Sequence, residues 1–153
     1  MYKGKRVLAN FTTLFSILLL SLLCGCAKEK RFKEKKSFYQ AVNGKDTAFL
    51  SISLTQTHFT GMYEIRYGTL GKDSGDIRGK ICGDTLIGLY NYKTYGGNNN
   101  IVPIALLRRG NKIMLGKGLA MSYMNIHYFS HDAPIDYDNS EFIFEEINKS
   151  AER

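Results

Sequence analysis

His58-Phe59-Thr60-Gly61-Met62-Tyr63-Glu64-Ile65-Arg66-Tyr67 is the stretch whose reading decides the fold. Phe59, Gly61, Tyr63, Ile65 and Tyr67 fall at every second position, between His58, Thr60, Met62, Glu64 and Arg66. Side chains alternate between the faces of a β-strand, so this period of two marks a strand with one buried face. The same pattern runs outward in both directions. In 47–55, Leu50, Ile52 and Leu54 oppose Ser51, Ser53 and Thr55, and downstream Ile77, Gly79 and Ile81 alternate with Arg78 and Lys80. Leu86, Gly88, Tyr90 and Tyr92 follow, then Val102, Ile104 and Leu106, then Ile113 and Leu115. Near the end Phe142 and Phe144 oppose Ile143 and Glu145. No stretch of the body carries a helical stripe.

Turn-forming clusters separate these runs: Asn43-Gly44-Lys45-Asp46, Gly71-Lys72-Asp73-Ser74-Gly75, Cys82-Gly83-Asp84 and Arg109-Gly110-Asn111. Their spacing predicts an all-β chain, a single antiparallel meander of about eight strands. Gly61, Gly79 and Gly88 lie on apolar faces, where glycine permits the sharp coiling of a small barrel. A closed or nearly closed barrel is therefore expected, with a two-sheet β-sandwich as the runner-up. Pro103 lacks an amide hydrogen and places its strand at an edge or a bulge. Residues 94–100 read as a flexible loop. Residues 119–139 form a long connection, aromatic at first and acidic later, of the kind on which function often sits.

The N-terminus reads as an address. Lys3, Lys5 and Arg6 precede residues 7–25, which carry no charge, and the layout is that of a secretory signal. Leu23-Cys24-Gly25-Cys26 resembles a bacterial lipobox: apolar, small, glycine, then the cysteine that receives the lipid. The resemblance implies a signal peptide over 1–25, cleavage between Gly25 and Cys26, and lipidation of Cys26. An uncleaved signal anchor and a plain cleaved signal are the alternatives. Residues 26–36 then form the lipidated cysteine and a charged, disordered tether, 37–148 the β domain and 149–153 a tail. The Lys28-Glu29 pair also resembles part of a lipoprotein export signal, beside the simpler reading of a solvated basic spacer.

The formal charge of +7 belongs to this leader. From Ser37 onward twelve basic residues face twelve acidic ones, so the body is neutral. A nucleic-acid partner wants a basic face on the domain itself and is not expected. With Cys24 removed and Cys26 lipidated, Cys82 stands alone, which excludes a disulfide within the body.

Between 39 and 118 the chain carries Gly44-Lys45-Asp46-Thr47-Ala48, Thr60-Gly61-Met62-Tyr63, Gly75-Asp76-Ile77-Arg78-Gly79-Lys80-Ile81 and Gly83-Asp84-Thr85-Leu86 with Tyr90 downstream. Gly110-Asn111-Lys112 and Gly116-Lys117-Gly118 close the series. In this order and spacing residues 39–118 bear a resemblance to a poorly characterised family of small lipoproteins from Gram-negative bacteria. It implies a lipoprotein with a β-rich body and brings no catalytic residues.

Candidate chemistry is sparse. His127 and His131, followed by Asp132, Asp136 and Asp138, have metal-ligand residue types, and on a helix the two histidines would share a face. Ala133-Pro134 interrupts that pattern, so a solvated loop is expected and no metal. The run Asp136-Tyr137-Asp138-Asn139-Ser140-Glu141 lacks the glycine and distal glutamate of a calcium loop. Neither a nucleophile–base arrangement nor a cofactor motif is present, so no enzyme is expected. Aromatics are the remaining signal. Tyr90, Tyr92 and Tyr95 lead into the Asn-rich loop, and Tyr123, Tyr128 and Phe129 mark the long connection. If the two loops share a rim, Tyr92, Tyr95 and Tyr128 offer a ligand-binding surface for a glycan or an envelope protein. The plainer alternative is that these rings cover the barrel ends. The expectation is a lipoprotein anchored to the outer membrane, periplasmic or surface-exposed, acting as a non-enzymatic binding or structural module. The alternative is an inhibitor of an envelope-degrading hydrolase such as lysozyme.

Overall fold

The alternating runs close on one another. A computed structural model describes residues 36–147. The expected signal, the lipobox with Cys26, nearly all of the tether and the tail over 149–153 lie outside the described residues. Eight strands form a closed antiparallel barrel: β1 (Lys36–Asn43), β2 (Asp46–Leu54), β3 (His58–Tyr67), β4 (Gly71–Cys82), β5 (Thr85–Lys93), β6 (Asn99–Arg109), β7 (Lys112–Leu115) and β10 (Ile143–Glu146). Neighbours in the barrel run β1-β10-β7-β6-β5-β4-β3-β2, so every barrel strand follows chain order and β10 closes the ring against β1. Between β7 and β10 the chain leaves the barrel and builds a separate hairpin, β8 (Ala120–Tyr123) with β9 (Ile126–Phe129). The described residues contain no helix.

The alternation assigns the interior. Leu50, Ile52, Phe59, Ile77, Leu86, Leu106, Phe142 and Phe144 are fully buried, and Tyr63, Tyr90, Ile104 and Ile113 join them in one cluster. Each large apolar side chain moved out of water contributes on the order of 2 kcal/mol. The barrel is thus filled by its own side chains along its middle.

Small barrels need strands that pass very close, and Gly79 and Gly88 show why. They pair directly across β4 and β5. A Cβ on Gly79 would sit 2.1 Å from the Ile87 carbonyl oxygen, and one on Gly88 2.0 Å from that of Arg78. No side chain fits there, so the sequence must hold glycine.

Two local expectations shift. The Gly71–Gly75 cluster is not a turn but the start of β4; the chain reverses over 68–70, with Gly68 at φ +52° and the Leu70 amide donating to the Tyr67 carbonyl. Gly71 and Gly75 serve close approach instead, since a Cβ on either would meet the Cβ of Tyr95 or Tyr92 at 2.7 Å. The Asn-rich loop is also shorter than expected, because Asn99 and Asn100 already pair with Lys93 and Tyr92. Pro103 pairs with Leu89 of β5, while β7 reaches only Leu106 to Arg109 of β6. At Pro103, β6 therefore has a barrel strand on one side, as a residue without an N–H requires.

Register distinguishes the two ends. One carries the β1–β2, β3–β4 and β5–β6 turns. The other carries the β2–β3, β4–β5 and β6–β7 turns together with Lys36, which pairs with Ser53.

Candidate functional site

Tyrosines crowd the end that holds the β3–β4 and β5–β6 turns. Tyr63, Tyr67, Tyr90 and Tyr92 occupy interior positions of β3 and β5 by the same alternation that buries Phe59 and Leu86. The Tyr90 and Tyr92 rings stack at 4.3 Å, and Tyr63 tilts against Tyr90 at 5.0 Å. The Tyr90 hydroxyl donates to the Tyr63 carbonyl at 3.1 Å. The Tyr67 hydroxyl donates to Asp73 Oδ2 at 3.0 Å, and Asp73 Oδ1 accepts from the Tyr95 amide at 2.9 Å. Asp73 thereby ties β3, β4 and the β5–β6 turn together. The Tyr63 hydroxyl is buried without a partner among the described residues. Burial, followed by neighbouring phenols and carboxylates, pushes the Tyr63 hydroxyl well above the ordinary tyrosine range; Tyr90 and Tyr67 are raised too, Tyr67 partly by its bond to Asp73. These groups stay neutral and close the end of the barrel.

The opposite end is capped by Arg108, whose Nη2 donates to the Gly83 carbonyl at 2.8 Å while Nε is buried without a partner among the described residues. Beneath it lies a cavity of about 30 Å³ bordered by Ser37, Tyr39, Ile52, Leu54, Leu86 and Ile113, the scale of a single water rather than a ligand.

The excursion between β7 and β10 lies against the outer wall. A half-open groove of about 450 Å³ runs between Ile87, Leu89 and Pro103 of the wall and His127, Phe129, His131 and Ile135 of the excursion. Hairpin register sorts the faces of β8–β9. Ser122 pairs with His127 and Ala120 with Phe129, and His127 and Phe129 are the half-buried members of β9. Met121 pairs with Tyr128 and Tyr123 with Ile126, and all four are exposed. Leu119 and the turn residue Met124 extend the same exposed set. Of fourteen exposed large apolar side chains among the described residues, six lie within 119–128, so the apolar surface is concentrated on this hairpin. No Asp, Glu, Lys or Arg occurs in 118–131. The turn is a two-residue one with Met124 at φ +47° and Asn125 at φ +63°. Such turns favour asparagine and glycine, and methionine in the left-handed region costs roughly 1–2 kcal/mol.

The three tyrosines expected at one rim therefore separate. Tyr92 is inside the barrel end, stacked on Tyr90. Tyr95 is exposed on the adjoining turn, with its ring 6.3 Å from that of Tyr67. Tyr128 is on the exposed side of β9, paired with Met121, and its strand borders a groove on the outer wall to which neither Tyr92 nor Tyr95 contributes. The exposed hairpin face was missed in the sequence because its turn holds no glycine, although Met121, Tyr123, Ile126 and Tyr128 alternate around it.

His127 is in a strand and His131 in the following loop, so they do not share a helix face. Among the described residues no three metal-ligating side chains gather. Asp136 is engaged in a turn: Oδ1 accepts from the Asp138 and Asn139 amides and Oδ2 from Asn139 Nδ2 at 2.7 Å. Those bonds hold its carboxyl below the usual range. Cys82 ends β4 and is exposed as a free thiol. Comparison with known proteins finds no matching family model, no matching curated protein and no matching solved structure.

Proposed function

We propose that the chain is a lipid-anchored protein of the bacterial outer membrane that works as a non-enzymatic binding or structural module, with its contact surface outside the barrel. The anchor rests on Leu23-Cys24-Gly25-Cys26 and the uncharged run before it. The observation that carries the binding reading is the contrast between a barrel filled by its own side chains and a hairpin that leaves six large apolar groups in water. Exposed apolar surface gathered in one place marks an interaction site. Tyr128 belongs to that face, whereas Tyr92 supports the barrel end.

Labelling cells with a palmitate analogue tests the anchor. Wild-type chain is expected to carry the label, and Cys26→Ser to accumulate as an unlabelled, uncleaved precursor. Normal processing of that variant would overturn the anchor. The same preparation, added to a lysozyme assay, is expected to leave the lysis rate unchanged; inhibition would favour the hydrolase-inhibitor alternative.

A further inference from the structure

We infer that the exposed face of the β8–β9 hairpin docks against the same face of a second copy of this chain. The inference rests on the reading of that face as a contact surface and names its occupant.

Size is the first argument. Leu119, Met121, Tyr123, Met124, Ile126 and Tyr128 are between 37% and 80% exposed. At roughly 200 Å² for a large side chain they present on the order of 700 Å², close to the ~800 Å² that each partner contributes to a standard stable interface. Composition is the second. Interfaces between copies are more apolar than those between transient partners, and tyrosine and methionine are enriched at their centres while lysine and glutamate are depleted. This face has the enriched types and none of the depleted ones.

Charge is the third. The body from Ser37 onward is balanced, twelve against twelve, so two copies meet without net repulsion. Symmetry is compatible as well. A two-fold axis lying in the contact plane, across the strands, brings Tyr123 and Ile126 of each copy toward Met121 and Tyr128 of the other, giving aromatic–thioether contacts in both halves. The strained turn fits the same reading, since Met124 keeps a costly conformation while its side chain is 80% exposed. A shared membrane would raise the local concentration of copies and favour the pairing further.

The test uses the full-length chain in its membrane, with a photo-crosslinking benzoylphenylalanine in place of Tyr123. Irradiation is expected to yield an adduct of twice the chain mass, containing peptides of this chain alone. The same group in place of Met62, exposed on β3 outside the hairpin, is expected to yield none. Detergent-solubilised wild type should scatter light as a dimer. Tyr123→Lys with Ile126→Lys should weaken dimerisation at least about tenfold with an unchanged β-sheet circular dichroism spectrum. A monomeric wild type, a lipid adduct or no adduct would overturn the inference. An adduct with a different protein would also overturn it, yet leave the binding-module reading standing. Loss of the palmitate label would remove the anchor and leave the dimer result untouched.

Discussion

Glycine is a residue with two separate meanings in this chain, and they differ in energetic weight. At Gly44, φ is +61° and nothing lies within 4 Å of the place a Cβ would take, so alanine there meets only the left-handed penalty. At Gly88 the same methyl group would meet the Arg78 carbonyl at 2.0 Å, deep in the β4–β5 ladder, and only movement of two strands relieves it. Gly44→Ala is expected to cost about 1 kcal/mol and Gly88→Ala about 3 kcal/mol or more in urea unfolding. Equal losses would show that strand approach is not what fixes Gly88. The sequence made this role legible: a glycine inside an alternating run is a packing statement. The alternation of Leu86, Gly88, Tyr90 and Tyr92 already puts Tyr92 on the apolar face and Tyr95 off it; what the sequence does not show is where β5 ends, so Tyr92 reads equally as a rim residue.

Among the elements, the barrel strands were readable and the β8–β9 hairpin was not. β2 to β6 announce themselves by long alternation and by turns that contain glycine or a break in pattern. β8 and β9 have four residues each and reverse at Met124-Asn125, where positive φ is adopted without glycine. Strand readings depend on turn chemistry, and here the turn residue works against its own propensity. Met124→Gly is expected to relieve that strain and raise stability by about 1 kcal/mol. If the methionine is retained for contact, the same substitution weakens self-association. Paired thermal-melt and light-scattering measurements check both directions, and a variant that is neither stabilised nor impaired in association would refute this account of the turn.

For the whole molecule, burial of phenols makes stability depend on alkaline pH. Burial first, then neighbouring charge, raises Tyr63, Tyr67 and Tyr90 above the ordinary tyrosine value of 10.0. Above about pH 10 the unfolded chain releases these protons while the folded chain keeps them, so the folded state binds more protons and stability falls as pH rises. Stability is expected to be flat with respect to these groups below pH 10 and to decline from there toward the raised folded values. Urea midpoints between pH 8 and pH 11, followed with tyrosine absorbance, check this; a midpoint indifferent to pH over 10–11 would contradict it. Architecture as a whole was legible because alternation, turn spacing and interior glycines agree on one closed meander. The way the barrel closes was not, since β10 is short and returns after a long excursion. That closure also sets how the molecule responds to pulling. β1 is held to β2 by eight residue pairs but to β10 by two, Tyr39–Glu146 and Gln40–Glu145, beside which the Ile147 amide donates to the Phe38 carbonyl at 2.8 Å. A force applied at Lys36, where the chain toward Cys26 departs, loads the Lys36–Ser53 pair first, peels β1 from β2 one pair at a time, and meets the narrow β10 seam from Phe38 onward. Mechanically the domain is a zip fastener with its slider at Lys36, opened by tension on the end of β1.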